Sequence, residues 1–188
     1  MIRKNKALLA YVEWLYASGK YGIVAEAYAA KRTIMEQARR YNKVYLIKSG
    51  IAKCYLSNEN GRIFIQEFLG EGMEFGELEV FNEQHTICSV ATVTPLEVYT
   101  FSHAGFKNLL ETDAKFNTLV LKALADKIRY KAPRHSYQHG YPIEDNIVRL
   151  QANFPDLITV IPKKDIANYI GITTRSLNRA LRGLKKRA

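Results

Sequence analysis

The chain has 188 residues, of which 47% are hydrophobic, so it can bury a core and does not have the composition of a disordered chain. Its net charge of +10 is unevenly distributed: residues 1–111 carry 13 basic and 12 acidic side chains, whereas residues 112–188 carry 15 basic and 6 acidic ones. Two cysteines are too few for a disulfide scaffold or a four-thiolate iron–sulfur cluster, and no apolar run is long enough to span a membrane. We therefore expect a cytoplasmic protein with no membrane partner, whose C-terminal part binds an anionic macromolecule.

The first half of the sequence changes from a helical pattern to a strand pattern. Residues 5–30 are rich in Ala, Leu, Tyr and Glu without proline, and they predict one or two helices. Short β-type runs follow over residues 40–102, separated by glycines and by SNENG at residues 57–61. Turn signals between alternating runs are typical of an antiparallel sandwich or barrel.

The helical pattern returns after Phe101. HAGFKNLLET predicts a short helix, and a longer helix begins at Asp113. The apolar arc of this long helix is wider than one packing surface needs, although Lys127 and Lys131 interrupt it. Two alternatives stay open: the arc packs entirely within its own chain, or part of it pairs with a second copy in a homodimer. The side chains assigned to that dimer interface are Phe116, Leu119, Val120, Ala123, Leu124 and Ile128.

The C-terminal part predicts a hinge followed by two helices joined by a tight turn. KAPRHSYQHGYP, residues 131–142, contains two prolines and one glycine and predicts the end of the long helix. IEDNIVRLQANF then has a helical spacing of apolar residues. In the closing segment, Lys164–Ile170 predicts a short helix, Gly171 suits a positive-φ turn, and Thr173 suits the N-cap of a second helix.

The last helix has an apolar face and a basic face, which lie on opposite sides at about 100° per residue. A stripe of cations of this width can enter a DNA major groove, where Arg donates to guanine edges and Lys and Arg neutralise phosphates. A basic helix on an anionic membrane surface, or a solvated face, is the alternative, but neither requires the preceding helix, turn and cap. The apolar face carries Leu177, Leu181 and Leu184, and the basic face carries Arg175, Arg179, Arg182 and Lys186.

Three stretches carry a family resemblance that covers nearly the whole chain. VYLIKSGIAKCYLSNENGRIFIQEFLGEGMEFGELEVF resembles a β-roll, the helix from Asp113 lies where a dimerisation helix is expected, and DIANYIGITTRSLNRALRGL resembles a helix-turn-helix. Together they resemble the cyclic-AMP receptor protein/FNR (Crp/Fnr) superfamily of bacterial transcription regulators. The resemblance implies an α+β fold with an N-terminal cyclic-nucleotide-binding-like antiparallel β-roll, flanking helices, a long dimerisation helix and a C-terminal helix-turn-helix. The implied divisions are residues 1–112 (effector domain), 113–132 (dimerisation helix), 133–142 (hinge) and 143–188 (DNA-binding domain).

The same resemblance implies a sequence-specific transcription regulator that binds double-stranded DNA as a homodimer, with RNA polymerase as a further partner. No Walker A, His-Glu-x-x-His or Gly-x-Ser-x-Gly motif indicates an enzyme. Relatives usually continue into a two-stranded wing, whereas only KKRA follows Leu184, so we expect the wing to be reduced or missing. The alternative function is therefore an effector-binding module that keeps the fold without regulating DNA. The predicted DNA-binding residues are Thr173, Thr174, Arg175, Ser176, Asn178, Arg179, Arg182 and Lys186.

The predicted effector pocket departs from the nucleotide-responsive members of the family. Those members hold the cyclic phosphate with an Arg-Ser or Arg-Thr pair after a Gly-Glu-Leu triplet, and here Ile87-Cys88 take its place. An unpaired buried phosphate is costly, so we expect no response to cyclic AMP, no cofactor or metal, and an effector that is unknown or absent. Substitution of the missing cation by His85 or Lys53, and a redox or haem-ligating Cys88, are the alternatives. The predicted pocket residues are Gly76, Glu77, Leu78, Ile87 and Cys88.

Overall fold

The computed structural model describes the backbone of residues 2–153 and 157–185, and the side chains of these apart from residues 133–140, 151, 153, 157–158 and 185. An N-terminal part built from two β-sheets is followed by helices, which confirms the predicted α+β class. None of the helices in the described ranges is long and apolar enough to cross a membrane. The elements are β1 (Ile2–Arg3), α1 (Lys6–Ala17), β2 (Val24–Tyr28), β3 (Thr33–Met35), β4 (Lys43–Ser49), β5 (Ala52–Ser57), β6 (Ile63–Leu69), β7 (Glu74–Phe75), α2 (Leu78–Asn82), β8 (Ser89–Thr92), β9 (Leu96–Ser102), α3 (His103–Thr112), α4 (Ala114–Gly140), α5 (Ile143–Asn153), α6 (Leu157–Val160), α7 (Lys163–Ile170) and α8 (Thr174–Lys185).

The β-roll consists of a five-stranded sheet in the order β1-β6-β5-β8-β3 and a four-stranded sheet in the order β2-β9-β4-β7. β1 pairs with β6 in parallel, and the other pairs are antiparallel. The two sheets bury one shared core, because strand side chains alternate between the faces and the inward positions are apolar. Its buried members include Met35, Ile47, Leu69, Phe75 and Val98.

The prediction of helix over residues 5–30 is correct only for its first part. α1 ends at Ala17, and Gly19 and Gly22 follow it with φ values of 68° and 61°. Residues 24–28 form β2, which pairs with β9 along its whole length. Ala and Glu favour helix locally, but the hydrogen bonds of a neighbouring strand outweigh that preference.

α4 begins where predicted and extends further than predicted. The carboxylate of Asp113 caps it by accepting hydrogen bonds from the backbone N–H groups of Lys115 and Phe116 at 3.0 and 2.9 Å. The predicted boundary at residue 132 is wrong, since helical backbone continues through Pro133 and ends at Gly140, within residues 131–142. A proline removes one backbone hydrogen bond and bends a helix, but it does not have to end it. Whether residues 133–142 act as a hinge stays a prediction.

One face of α4 is part of the core of the chain. Phe116, Val120 and Ala123 are buried against α1 and α3, and the Phe116 ring meets the Phe106 ring edge to face with centroids 5.3 Å apart. Their assignment to a dimer interface is therefore corrected, because burial within the chain leaves them no surface for a partner. Leu119 and Leu124 are partly buried against the same core, whereas Leu121 and Ile128 are 60% and 70% exposed.

The C-terminal helices pack on the β-roll. Ile65 and Phe68 of β6 share a hydrophobic cluster with Ile166 and Tyr169 of α7. The Tyr169 hydroxyl also lies 2.7 Å from the hydroxyl of Tyr130 on α4. The same cluster contains Ile147 of α5 and the inner face of α8, so a single apolar core connects the β-roll to the last helix.

Candidate functional site

The closing segment forms the predicted helix-turn-helix. α7 ends at Ile170 and is capped by Gly171, which adopts a φ of 84°. The N–H groups of Gly171 and Ile172 both donate to the carbonyl of Ala167. This left-handed end is favourable for glycine and turns the chain into α8. The Thr173 hydroxyl accepts a hydrogen bond from the N–H of Ser176 at 3.1 Å, so the predicted N-cap is confirmed.

α8 buries its apolar face and exposes its basic face. Leu177 and Ala180 are buried against α7, and Leu181 and Leu184 are partly buried in the same cluster. Because positions three and four residues apart lie on one face, this packing turns the intervening cations outward. The side chains that point outward are Arg175, Arg179 and Arg182.

Most of the predicted DNA-binding residues lie together on the outer side of α8. Thr173 and Thr174 are exposed beside the three arginines, whereas Ser176 and Asn178 are partly buried. The Ser176 hydroxyl lies 3.0 Å from that of Thr173 and so contributes to the cap. None of the three arginines forms an ion pair with another described residue. Lys186 lies outside the described residues.

A cavity of about 210 Å³ lies in the β-roll beside α4. Its walls come from β5, β6, β7, the start of α2, the residues before β8 and two lysines of α4. Gly76 has a φ of 87°, and a side chain there would meet the carbonyl of Lys43 at 2.5 Å, so the turn requires glycine. The five residues predicted for the effector pocket all line this cavity: Gly76, Glu77, Leu78, Ile87 and Cys88.

Lys127 places a buried ammonium group at the cavity wall. Its Nζ atom lies 2.9 Å from Glu74 Oε1 and 2.6 Å from Glu77 Oε1, and it donates to the Glu74 carbonyl at 2.8 Å. Burial opposes the charged form of Lys127, but the carboxylates of Glu74 and Glu77 outweigh it and raise its pKa. Burial, together with the charge of Glu74, raises the pKa of Glu77 despite the opposing effect of Lys127.

A second ionic cluster lies on the same wall. Glu67 Oε1 is 2.8 Å from Lys131 Nζ, and Glu67 Oε2 is 3.2 Å from Arg3 Nη1. Burial raises the pKa of Glu67, but Lys131 and the neighbouring cations outweigh it, so the pKa lies below its usual value. Each lysine that lines the cavity is therefore already paired with a carboxylate.

These pairings make the cavity a poor site for an anion. Its described lining contains four glutamates, two lysines and no arginine. Neither Glu74 carboxylate oxygen has an aligned hydrogen-bond donor among the described residues, although Oε1 is within ion-pair distance of Lys127. The lining therefore favours a group that donates hydrogen bonds over a phosphate that accepts them. Neither His85 nor Lys53 lines the cavity, and Lys53 instead pairs with Asp165 at 2.8 Å.

Sequence reasoning missed several residues of this site. Three of them lie on strands: Glu67, Glu74 and Cys54. The alternation of apolar and polar side chains along a strand does not show which inward-facing position borders a cavity. The sequence did indicate a role for Lys127, because a lysine within an apolar helix face needs a partner of opposite charge if that face is buried. The identity of that partner depends on how α4 lies against β7.

Comparison with known proteins gives the same assignment for the β-roll. Residues 25–113 match the family model of the cyclic nucleotide-binding domain. The cAMP-activated global transcriptional regulator Vfr of Pseudomonas aeruginosa is 24% identical over 173 residues, which cover 85% of this chain and 81% of that protein.

Solved structures share the architecture of the whole chain. The c-di-GMP responsive global regulator CLP of Xanthomonas campestris superposes with a TM-score of 0.78 at 16% identity, covering 94% of this chain and 91% of that one. FixK2 of Bradyrhizobium japonicum superposes with a TM-score of 0.76 at 17% identity, covering 88% of this chain and 85% of that one.

Proposed function

Since the chain carries a cyclic nucleotide-binding domain in the architecture of the Crp/Fnr transcription regulators, we propose that it is a sequence-specific DNA-binding regulator that does not respond to cyclic AMP. In this proposal α8 reads DNA, α4 supports a homodimer, and the cavity receives a ligand other than a cyclic nucleotide or none. A contact with RNA polymerase and the absence of catalytic activity stay predictions.

The exposed arginines of α8 are the observation that carries the DNA-binding proposal. Arg175, Arg179 and Arg182 lie opposite a buried apolar face and make no ion pair within the described residues, so their charge is available to an external anion. The Gly171 turn and the Thr173 cap fix the orientation of α8 on α7. A fixed helix with exposed arginines along its outer face suits recognition of DNA in the major groove.

Selection of random DNA duplexes followed by a binding titration tests this proposal. We expect a pseudo-palindromic site to be enriched without cyclic AMP, because two copies of α8 in a symmetric dimer would meet successive half-sites. Arg179→Ala is expected to weaken binding to that site by about 1–3 kcal/mol, and its binding to unrelated duplexes is expected to change much less. The measurement is the ratio of specific to non-specific dissociation constants at fixed salt.

Lys107→Ala is the matched control, since Lys107 is an exposed cation on α3 and its loss changes the net charge equally. The proposal fails if both variants weaken binding by the same factor, because the helix would then contribute only charge. It also fails if no duplex is enriched under any condition, an outcome that would favour an effector module without DNA regulation.

The ion pairs of the two cavity lysines support the proposal that the protein does not respond to cyclic AMP. Lys127 and Lys131 are held by Glu77, Glu74 and Glu67, so a cyclic phosphate would have to break an ion pair or remain unpaired. Calorimetric titration with cyclic AMP is expected to give no saturable heat at millimolar nucleotide. Saturable binding to the wild-type protein would contradict this part of the proposal.

A further inference from the structure

The two cysteines of the chain lie in the wall of the same cavity. Cys54 is on β5, and Cys88 immediately precedes β8, the neighbouring strand. Cys54 is paired in register with Val90, so Cys88 occupies the diagonal position two residues before it, on the same face of the sheet. Both residues are partly buried and both line the cavity, so a small molecule in the cavity would lie against them.

The two thiols are close enough to shift each other's pKa: Cys88 raises the pKa of Cys54, and Cys54 lowers that of Cys88. The thiol with the lower pKa has the larger thiolate fraction at a given pH. Burial raises both pKa values, Lys131 lowers both, and the negative charge of Glu67 raises both. Cys88 is therefore the more nucleophilic of the two at a given pH.

We propose that Cys54 and Cys88 form an oxidisable thiol pair, which a peroxide that enters the cavity converts into an intramolecular disulfide. The Cys88 sulfur attacks one peroxide oxygen; an S–O bond forms, the O–O bond breaks, and the departing hydroxide takes the Cys88 proton to give water. The Cys54 sulfur then attacks the sulfenic sulfur of Cys88; the S–S bond forms, the S–O bond breaks, and hydroxide leaves with the Cys54 proton as a second water. Two thiols lose two electrons in total, and one peroxide is reduced to two waters.

The position of Cys88 allows the small movement that this bond needs. Diagonal neighbours in an antiparallel sheet are roughly 7–8 Å apart, whereas the Cα atoms of a disulfide are about 4.4–6.8 Å apart. Residues 83–88 connect α2 to β8. Backbone hydrogen bonds to Ala38 and Arg39 hold this connection at Thr86, whereas Cys88 itself precedes the first residue of β8 that is paired with β5. A disulfide would tie this connection to β5 and narrow the cavity.

Treatment of the purified full-length protein with hydrogen peroxide tests the proposal without reference to DNA. The chain contains two cysteines in all, so a single intramolecular disulfide removes both free thiols. We expect the intact mass to fall by about 2 Da, the mass of two hydrogens, while the protein keeps the electrophoretic mobility of a single chain under non-reducing conditions. Peptide mapping should link Cys54 to Cys88, and dithiothreitol should restore both thiols.

Two serine variants separate the roles of the thiols. In Cys54→Ser, we expect Cys88 to stop at the sulfenic acid, which dimedone traps. In Cys88→Ser, we expect Cys54 to react at least about tenfold more slowly, because its thiolate is less populated. Persistence of both thiols in the wild-type protein, or a disulfide between two chains, would overturn the proposal. Equal rates in the two variants would overturn the assignment of Cys88 as the attacking thiol. The wild-type result does not depend on whether either variant folds.

Discussion

Lys127 is the residue that balances the buried charge of the cavity. One ammonium group faces two carboxylates, Glu74 and Glu77, whose side chains are 1% and 3% exposed. Removal of one member of a buried ionic cluster is costly because the remaining charges lose both their partner and their water. The arrangement also ties α4 to β7, since all three residues lie where these elements meet.

We expect Lys127→Met to lower the free energy of unfolding by about 3–5 kcal/mol at neutral pH, because two buried carboxylates would lose their cation. Urea unfolding measures this change. Lys122→Met removes an exposed lysine from the same helix and should change stability by less than about 0.5 kcal/mol. Equal effects of the two variants would show that the buried ammonium group does not stabilise the fold.

The loss of stability in Lys127→Met should depend on pH in a defined direction. The folded-state pKa of Glu77 is already raised above its value of 4.5 in the unfolded chain, mainly by burial, and the loss of Lys127 removes the main opposing effect. A carboxyl group whose pKa is higher in the folded than in the unfolded chain stabilises the fold at a pH below its pKa in the unfolded chain. This contribution is lost as the pH rises through its pKa in the folded chain. The stability difference between Lys127→Met and the wild type should therefore shrink as pH falls toward 4.5.

α4 is an element with two apolar faces, of which one is used within the chain. Phe116, Val120 and Ala123 complete the core against α1 and α3. Leu121 and Ile128 are exposed with the partly buried Leu124 between them, a spacing of three and four residues that forms one stripe. Exposed leucine and isoleucine in such a stripe are typical of a helix that pairs with another helix.

We expect Ile128→Glu to convert a dimer into a monomer, because the new carboxylates would meet each other across a two-fold helix pair. Sedimentation equilibrium measures the dissociation constant, and an increase of at least about tenfold is expected for a central apolar-to-charged change. Lys122→Gln alters the charge of the exposed helix surface by the same amount and should leave association unchanged. A wild-type protein that sediments as a monomer at all concentrations would contradict the homodimer.

At the scale of the whole molecule, α7 connects α8 to the β-roll. Lys53 Nζ on β5 lies 2.8 and 2.9 Å from the two carboxylate oxygens of Asp165 on α7. The rings of Phe68 and Tyr169 pack beside this pair with centroids 5.6 Å apart, and Arg62 donates to the carbonyl of Gly171 at 3.1 Å. Lys53 is adjacent to Cys54, so the contact that holds α7 lies one residue from the cavity wall.

We expect Asp165→Asn to loosen α7 from the β-roll, because the partly buried Lys53 ammonium would keep only a neutral acceptor. Amide hydrogen exchange in α7 and α8 should become faster by an amount that corresponds to about 1–3 kcal/mol, while exchange in β4 and β9 stays unchanged. Lys163→Gln, at an exposed position of the same helix, is the control. Equal acceleration in β4 and β9 would indicate global destabilisation instead.

Local sequence patterns were sufficient to predict the features that depend on residues close to one another in the chain. Alternating runs between turn signals predicted an antiparallel β-domain, and the positions of Gly171, Thr173 and the leucines predicted the helix-turn-helix. A glycine turn, an N-cap and a helical face each involve residues within a few positions of one another, so the sequence displays them directly. The arginines of α8 lie opposite its leucine face, so their exposure could be predicted from the helical spacing. They were predicted as DNA-binding residues for that reason.

Contacts between distant residues decided the features that the sequence left open or predicted wrongly. Residues 24–28 became a strand because β9 was available to pair with them, and three of the six predicted interface residues of α4 became core because α1 and α3 cover them. The partners of Lys127 are 50 and 53 residues away, and the two cysteines meet only because β5 lies beside β8. The sequence by itself therefore determined the succession from β-domain to long helix to helix-turn-helix, and the apolar and polar faces of the helices. Only the tertiary structure decided which face is buried and which charges meet, because both depend on the neighbours that folding brings together.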